Sequence, residues 1–120
     1  MLKILLVDDC LLLLKILEDI LRTEDFQIIK TQDSWLAVEL AEIHKPDLII
    51  CDLRMPIFNG FDVLISLGNN MVTRDIPVIM TSGDWTDSDR RMAKELGAKH
   101  CLDKPYQFQK LIDVINVCIT

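Results

Sequence analysis

The sequence predicts an α/β fold with a parallel sheet, and a set of short apolar runs carries this prediction. Four of the runs are continuous and stop abruptly at a polar residue, which is typical of strands buried on both faces of a parallel sheet. They stop at Asp8, Asp52, Thr81 and Lys104. Longer stretches with helical apolar spacing separate the runs, and this alternation is the order of repeated β-α units.

Each element can be placed from the same patterns. Strands are predicted near 3–7, 27–31, 48–52, 77–81 and 99–102, and helices near 10–22, 34–44, 60–67, 87–96 and 106–118. Pro46 prevents the second helix from continuing, and Gly60 opens the third helix after a turn. Thr86 and Asp89 have the spacing of a capping box before the fourth helix. Gly97 occupies a position where a left-handed helix end is common.

Two predicted helices differ in how clearly they define a buried face. The last helix has one apolar stripe, made of Phe108, Leu111, Ile112, Ile115 and Cys118 or Ile119. The first helix begins with four consecutive leucines, which cannot all face the core at helical periodicity. We expect its buried stripe to be Leu13, Ile16, Leu17 and Ile20. Facing solvent or a partner protein would then be Leu11, Leu12 and Leu14.

Composition limits the classes of function. The chain has 120 residues, half of them hydrophobic, which fits one domain spanning 1–120. Its net charge of −6 argues against direct nucleic-acid binding, and no apolar stretch is long enough for a membrane span. We see no secretory signal before the first strand. Four cysteines without a C-x-x-C pair favour free thiols in a reducing cytoplasm, so a cytoplasmic protein is expected.

The polar residues at the strand ends predict a single site. Ligands of open α/β sheets bind beyond the carboxyl ends of the strands, and such ends are followed by Asp8, Asp9, Asp52, Thr81 and Lys104. Neighbouring strands lie about 5 Å apart, so three carboxylates at one edge would repel one another strongly. A hard divalent cation with oxygen ligands would balance them, and Mg²⁺ is the expected ion inside a cell.

These residue types favour phosphoryl transfer. Asp52 is the candidate nucleophile because it ends the central apolar run, and an aspartate can form an aspartyl-phosphate. Asp8 and Asp9 would hold the metal ion. Lys104 and Thr81 would each hold an oxygen of the transferring group, because neutralising those oxygens is the main demand of this chemistry. Each residue alone is ordinary loop chemistry, and the joint pattern on four strand ends is what makes the prediction specific.

The same residues resemble those of a two-component response-regulator receiver domain, and the resemblance covers essentially the whole chain. The motifs that carry it are Asp8-Asp9, Asp52-Leu53-Arg54-Met55-Pro56 with Gly60, Thr81-Ser82-Gly83 and Lys104-Pro105-Tyr106. The resemblance is to a single-domain, chemotaxis-regulator-like receiver. It implies a flavodoxin-like, doubly wound parallel sheet of five strands in the order 2-1-3-4-5, flanked by five helices.

The resemblance also implies the chemistry of the acidic residues. A histidine kinase or a histidine phosphotransfer protein would phosphorylate Asp52, and small acyl phosphates would also serve as donors. Mg²⁺ would be held by Asp9, Asp52 and the backbone carbonyl of Arg54, with Asp8 acting largely through water.

The resemblance further implies a switch and not a turnover enzyme. Thr81 and Lys104 would bind the phosphoryl group, and movement of Thr81 would shift the fourth helix, the fifth strand and the fifth helix. The result would be a changed affinity for an unknown downstream protein. The first helix would lie on the face that docks the kinase, and the chain would be a monomer or a weak dimer without contacts to nucleic acid or membrane.

The chain departs from the usual receiver pattern at one position. Cys101 stands three residues before the lysine, where the family usually has Tyr or Phe, so a thiol replaces the aromatic ring that normally follows the movement of Thr81. Trp85 is a candidate to take over part of that role. Arg54 and Gly83 occupy the two positions that tune the phosphoryl lifetime in the family, and the lifetime stays open here.

Three alternatives remain at this point. A haloacid-dehalogenase-like phosphatase would need an acidic residue two positions after the nucleophile, where this chain has Arg54. A flavin or nucleotide module on the same fold would want a Gly-rich or Ser/Thr-rich phosphate loop after the first strand, where Asp8 and Asp9 stand. A pseudo-receiver would keep the fold without phosphorylation, although every expected site residue is present.

Overall fold

A computed structural model describes residues 1–120 and contains a five-stranded parallel sheet between two layers of helices. The strands are β1 (Lys3–Val7), β2 (Gln27–Thr31), β3 (Leu48–Asp52), β4 (Val78–Ser82) and β5 (His100–Asp103). The helices are α1 (Leu11–Thr23), α2 (Ala37–His44), α3 (Gly60–Gly68), α4 (Asp87–Glu95) and α5 (Phe108–Ile119). The strand order is β2-β1-β3-β4-β5 with every pair parallel, which confirms the predicted flavodoxin-like topology.

Alternating strand residues pack into two separate hydrophobic cores, one on each face of the sheet. On one face α1 and α5 cover side chains that include Ile4, Leu6 and Ile50. On the other face α2 and α3 cover Leu5, Val7 and other inward residues of the same strands. Because β1, β3 and β4 are apolar on both faces, they are buried in the middle of the sheet, and their carboxyl ends meet at one edge.

The predicted helix boundaries follow from local chemistry. The Thr86 side chain and the Asp89 side chain form a reciprocal capping box at the start of α4, as predicted. Asn59 and Asp62 form a second capping box that starts α3 at Gly60. Gly97 has a φ of +102°, which places it in the left-handed region after α4.

The buried face of α1 differs from the prediction. Its buried residues are Leu14, Leu17 and Leu21, which lie on one face at spacings of three and four. Leu14 is therefore a core residue and not a surface residue, whereas Ile16 is exposed. Leu11 and Leu12 are exposed as predicted. Four leucines in a row leave the helical phase undefined by the sequence pattern, and in the structure Leu14, Leu17 and Leu21 pack into the core.

Smaller differences affect four other elements. In α5 the buried residues are Leu111, Val114 and Ile115, and Phe108, the first residue of the helix, is exposed. Strands β4 and β5 each begin one residue later than predicted. The start of the predicted second helix is a 3₁₀ turn over Ser34–Leu36, followed by α2. None of the helices combines the length and the apolar character needed to span a bilayer.

Candidate functional site

Strand register brings the predicted site residues to one edge of the sheet. Asp52, the last residue of β3, lies opposite Thr81 in the β3–β4 pairing. Val7 lies opposite Cys51, so Asp8 follows β1 beside the end of β3. Asp8, Asp52 and Thr81 are buried there, and Asp9 is exposed at the rim. The convergence predicted from the apolar runs is confirmed.

The Lys104 ammonium lies between two of the carboxylates. Its Nζ is 2.7 Å from Asp8 Oδ2 and 3.3 Å from Asp52 Oδ1. The other oxygen of Asp8 accepts a hydrogen bond from the backbone N–H of Cys10 at 2.9 Å, which orients this carboxylate into the site. Backbone contacts place the lysine, since the Lys104 N–H donates to the Ser82 carbonyl at 2.8 Å. The peptide bond between Lys104 and Pro105 is cis.

The acidic side chains fit a hard divalent cation. Ligand atoms of Asp8, Asp9 and Asp52 all lie within 4.8 Å of one another. All are carboxylate oxygens, which is the donor type that Mg²⁺ prefers. One ammonium cannot neutralise three carboxylates, so the cluster retains negative charge that a cation would balance. The donor set and its charge therefore fit the metal that the sequence predicts.

The electrostatics of the site are visible in two shifted pKa values. The pKa of Asp52 is raised to about 6, first because burial disfavours its charged form and second because Asp8 lies nearby, while Lys104 opposes the rise. Burial lowers the pKa of Lys104, but the hydrogen bond and charge of Asp8 with the charge of Asp52 outweigh it, and the pKa is raised. At neutral pH the ammonium is therefore charged, and Asp52 is mainly ionised although burial and Asp8 disfavour its charge, which a bound cation would stabilise.

The backbone beneath the site is closely packed. The N–H of Leu53 donates to the Thr81 carbonyl at 2.9 Å, and the N–H of Gly60 donates to the Leu53 carbonyl at 2.9 Å. A β-carbon added at Gly60 would lie 2.7 Å from the Asp52 carbonyl oxygen and 2.8 Å from the Leu53 Cα. Only glycine fits there, so the first turn of α3 can lie directly against the backbone at the end of β3.

Arg54 makes contacts that sequence reasoning missed. Its guanidinium donates to Asp84 through Nε at 2.9 Å and to Asp89 through Nη2. These ion pairs link the loop after β3 to the loop before α4 and to the first turn of α4. The role predicted for the Arg54 backbone carbonyl stays a prediction, because it concerns a metal contact. The partners are 30 and 35 residues away, so no local pattern indicated the pairing.

Trp85 lies in the β4–α4 loop, and Cys101 lies in the neighbouring strand β5. The Trp85 indole N–H donates to the Leu102 carbonyl at 3.0 Å, so the ring joins this loop to the edge strand β5. The Arg90 guanidinium lies 5.5 Å from the centroid of the ring and also pairs with Asp103 at 2.6 Å. Cys101 is partly buried in β5. A switching role for Trp85 stays a prediction.

The largest cavity is next to the site and separate from its carboxylates. It has a volume of about 390 Å³ and is lined by Leu13, Lys104, Pro105, Tyr106 and Phe108. Its walls are mainly apolar, and the buried hydroxyl of Tyr106 has no hydrogen-bond partner. The acidic cluster lies outside this cavity, at the open edge of the sheet where Asp9 is exposed.

Comparison with known proteins agrees with the geometry. A family model described as the response regulator receiver domain matches residues 4–116. The transcriptional regulatory protein CpxR of Escherichia coli (strain K12) is 38% identical over 117 residues, covering 98% of this chain and 49% of CpxR. Protein PilH of Pseudomonas aeruginosa is 32% identical over 119 residues, covering 99% of this chain and 98% of PilH. The chain spans about half the length of several curated relatives that it matches.

A solved structure gives the same result for the fold. The receiver domain of sensor histidine kinase PA1611 from Pseudomonas aeruginosa PAO1 has a TM-score of 0.89 and 25% sequence identity, covering 98% of this chain and 97% of that one. That crystal structure has a magnesium ion coordinated in its active site cleft.

Proposed function

Because this chain belongs to the response regulator receiver domain family, we propose that it is a phosphorylation-dependent signalling switch in which Asp52 accepts the phosphoryl group. One observation carries the proposal. The Lys104 ammonium lies within 3.3 Å of both Asp8 and Asp52, at the sheet edge where Thr81 lies opposite Asp52 near the end of β4. A nucleophilic carboxylate, a cation and a hydroxyl from separate strands are the groups that phosphoryl transfer requires.

The proposed reaction moves one phosphoryl group onto the protein itself. An Asp52 carboxylate oxygen attacks phosphorus, and the new O–P bond forms as the bond from phosphorus to the donor atom breaks. The electron pair of that bond leaves with the donor, on a histidine nitrogen or on the oxygen of a released carboxylate. Hydrolysis later adds water to phosphorus, releases inorganic phosphate with a proton, and restores the Asp52 carboxylate. One transfer per signal defines a switch and not a turnover enzyme.

Mg²⁺ is the proposed cofactor. Asp9, Asp52 and the backbone carbonyl of Arg54 would hold the ion, with Asp8 acting largely through water. When bound, the ion supplies positive charge to the oxygens of the transferring group. Lys104 supplies the fixed positive charge of the protein, and the Thr81 hydroxyl supplies a hydrogen-bond donor. The excess negative charge of the acidic cluster supports this assignment.

The proposed partners are proteins. A histidine kinase or a histidine phosphotransfer protein is the donor, and the output is a changed affinity for a downstream protein. The exposed Leu11 and Leu12 at the start of α1 support a docking surface beside the site. Four free cysteines fit a reducing compartment, which favours the cytoplasm. We propose a monomer or a weak dimer that acts without direct contact to nucleic acid or membrane.

Intact-mass spectrometry tests the function. The chain is incubated with Mg²⁺ and acetyl phosphate, with Asp52→Asn as the control variant. The wild-type chain is expected to gain the mass of one phosphoryl group, only with Mg²⁺, and Asp52→Asn to gain none. Equal labelling of the two proteins would contradict the assignment. Many turnovers of phosphate release from a phosphomonoester such as p-nitrophenyl phosphate would favour the phosphatase alternative instead.

A further inference from the structure

Asp84, in the loop between β4 and α4, receives hydrogen bonds from the ends of two different strands. Its Oδ1 accepts from Arg54 Nε at 2.9 Å and from Ser82 Oγ at 2.7 Å. Arg54 lies two residues after Asp52, and Ser82 lies directly after Thr81. One carboxylate therefore joins the loop that follows the proposed phosphoryl acceptor to the strand end that carries the proposed phosphate-binding hydroxyl.

The same guanidinium reaches the first turn of α4. Arg54 Nη2 donates to Asp89 Oδ2, the oxygen that also accepts from the backbone N–H of Thr86. The N–H of Asp89 donates to Thr86 Oγ1 at 3.0 Å, and the N–H of Asp84 donates to Ser82 Oγ at 3.2 Å. The backbone amides of Asp84, Thr86 and Asp89 thus donate to side-chain acceptors. Arg54 donates to the carboxylates of Asp84 and Asp89, which take part in the same hydrogen-bond network.

The loop is open on its solvent side. A β-carbon added at Gly83 would meet only the Lys104 carbonyl oxygen, at 3.9 Å. The Arg54 side chain is 47% exposed and that of Asp84 is 68% exposed. Exposed ion pairs are individually weak. The Arg54–Asp84 contact is therefore a restraint that a modest change of charge can release, in contrast to the buried strands beneath it, while the second partner, Asp89, has a side chain that is only 16% exposed.

We propose that Arg54 is a positioning residue whose ion pairs with Asp84 and Asp89 form a latch, which holds the β4–α4 loop and the first turn of α4 while Asp52 is unphosphorylated. The inference rests on the proposed function of Asp52. A phosphoryl group there adds negative charge two residues from Arg54, and a phosphoryl dianion is a stronger partner for a guanidinium than an exposed carboxylate. Phosphorylation weakens the latch, loosens the start of α4 and changes the surface that a partner meets.

Amide hydrogen exchange tests the latch. Exchange is followed by NMR on the whole chain in Mg²⁺ buffer, before and after acetyl phosphate, while intact mass records phosphorylation. Arg54→Gln removes the positive charge of the latch. Arg74→Gln is the matched control, because Arg74 is a similarly exposed arginine with a longer contact, 3.9 Å, to Asp75. Amides of β3 report whether the global stability has changed.

The expected result concerns the amides of Asp84, Thr86 and Asp89. Without phosphorylation they exchange about three- to tenfold faster in Arg54→Gln than in the wild-type chain, and Arg74→Gln leaves them unchanged. Phosphorylation speeds the same three amides in the wild-type chain and adds little in Arg54→Gln. Arg54→Lys, which keeps the charge without the forked donor, gives an intermediate rate.

Two results would overturn the latch while leaving the proposed function intact. One is unchanged exchange of the three amides in unphosphorylated Arg54→Gln. The other is unchanged exchange in a wild-type chain that has gained the phosphoryl mass. A wild-type chain that gains no phosphoryl mass would overturn the proposed function, and this inference with it.

Discussion

The Asp52 side chain is both buried and close to a second carboxylate, and both effects disfavour its charge. It is only 8% exposed at the end of β3, and it shares the Lys104 ammonium with Asp8. An ionised carboxylate in such a position is unfavourable unless it is fully paired, and one ammonium does not fully pair two acids. The folded chain therefore keeps an ionised carboxylate where its charge is unfavourable. In that position it can bind a cation and accept a phosphoryl group.

Asp52→Asn is expected to stabilise the metal-free chain at neutral pH. The pKa of Asp52 is raised to about 6 by burial and by Asp8, above an unfolded value of about 3.9. The folded state binds this proton more tightly, so the group contributes stability below about pH 4 and loses it as the pH rises through about 6. Removing the charge should add about 1–3 kcal/mol to the free energy of unfolding at pH 7, the upper figure corresponding to the full rise of the pKa from about 3.9 to about 6.

Urea denaturation in EDTA measures this difference at neutral pH and near pH 4. The gain of the Asn variant should shrink at the lower pH, where the wild-type carboxyl is itself protonated. An Asn variant that is less stable than the wild-type chain at pH 7 would contradict the interpretation that burial and Asp8 disfavour the charge of Asp52.

Lys104→Met is expected to tighten Mg²⁺ binding and to slow phosphorylation. The ammonium competes with a metal cation for Asp8 and Asp52, so its removal strengthens the attraction of the carboxylates for Mg²⁺, by about tenfold for a partly screened charge. The same change removes a positive charge from the transferring oxygens. Titration calorimetry measures the affinity, and Lys99→Met is the control because Lys99 is exposed before β5. Unaltered affinity together with a wild-type rate of phosphorylation would show that Lys104 is not part of the site.

At the scale of elements, the start of α3 is fixed by close backbone packing. Gly60→Ala would place a β-carbon 2.7 Å from the Asp52 carbonyl oxygen and should cost about 2 kcal/mol or more. Gly68→Ala, at the other end of the helix, meets nothing within 4 Å and should be neutral or slightly stabilising. Thermal or urea unfolding of the two variants makes the comparison. Equal effects would mean that the backbone near Asp52 can relax.

The α1 helix separates a core face from an exposed face. Leu14 is buried, and Leu14→Ala should cost about 2–5 kcal/mol in unfolding free energy. Leu11 and Leu12 are exposed beside the site. Replacing both with Ser should change stability by less than about 0.5 kcal/mol per residue, so the double variant can test docking without unfolding the chain.

Docking at α1 can be tested by comparing a protein phosphoryl donor with a small-molecule donor. Leu11→Ser combined with Leu12→Ser should slow phosphorylation by a histidine kinase that acts on the wild-type chain, by about tenfold for the lost burial of one or two leucines. The rate with acetyl phosphate should not change, because a small donor needs no docking surface. Equal rates of the variant and the wild-type chain with the kinase would remove α1 from the docking surface.

At the scale of the whole molecule, continuous apolar runs predicted the sheet and the convergence of the site. A run such as 48–52 can only be buried on both faces, so its polar end residue must lie at the sheet edge. The phase of α1 was not predictable, because four successive leucines are compatible with more than one buried face. The pairing of Arg54 with Asp84 and Asp89 was not predictable either. It depends on how two loops from different strands approach each other, and neither loop has a local pattern that indicates it.

The central claim is that groups from separate strands form one Mg²⁺-dependent site whose acceptor is Asp52. Borohydride reduction after phosphorylation converts an aspartyl-phosphate into homoserine, and peptide mass spectrometry then locates that residue. The account predicts homoserine at Asp52 alone, formed in the presence of Mg²⁺ and lost when the metal is chelated. Homoserine at Asp8 or Asp9, or equal labelling of Asp52 without Mg²⁺, would contradict it.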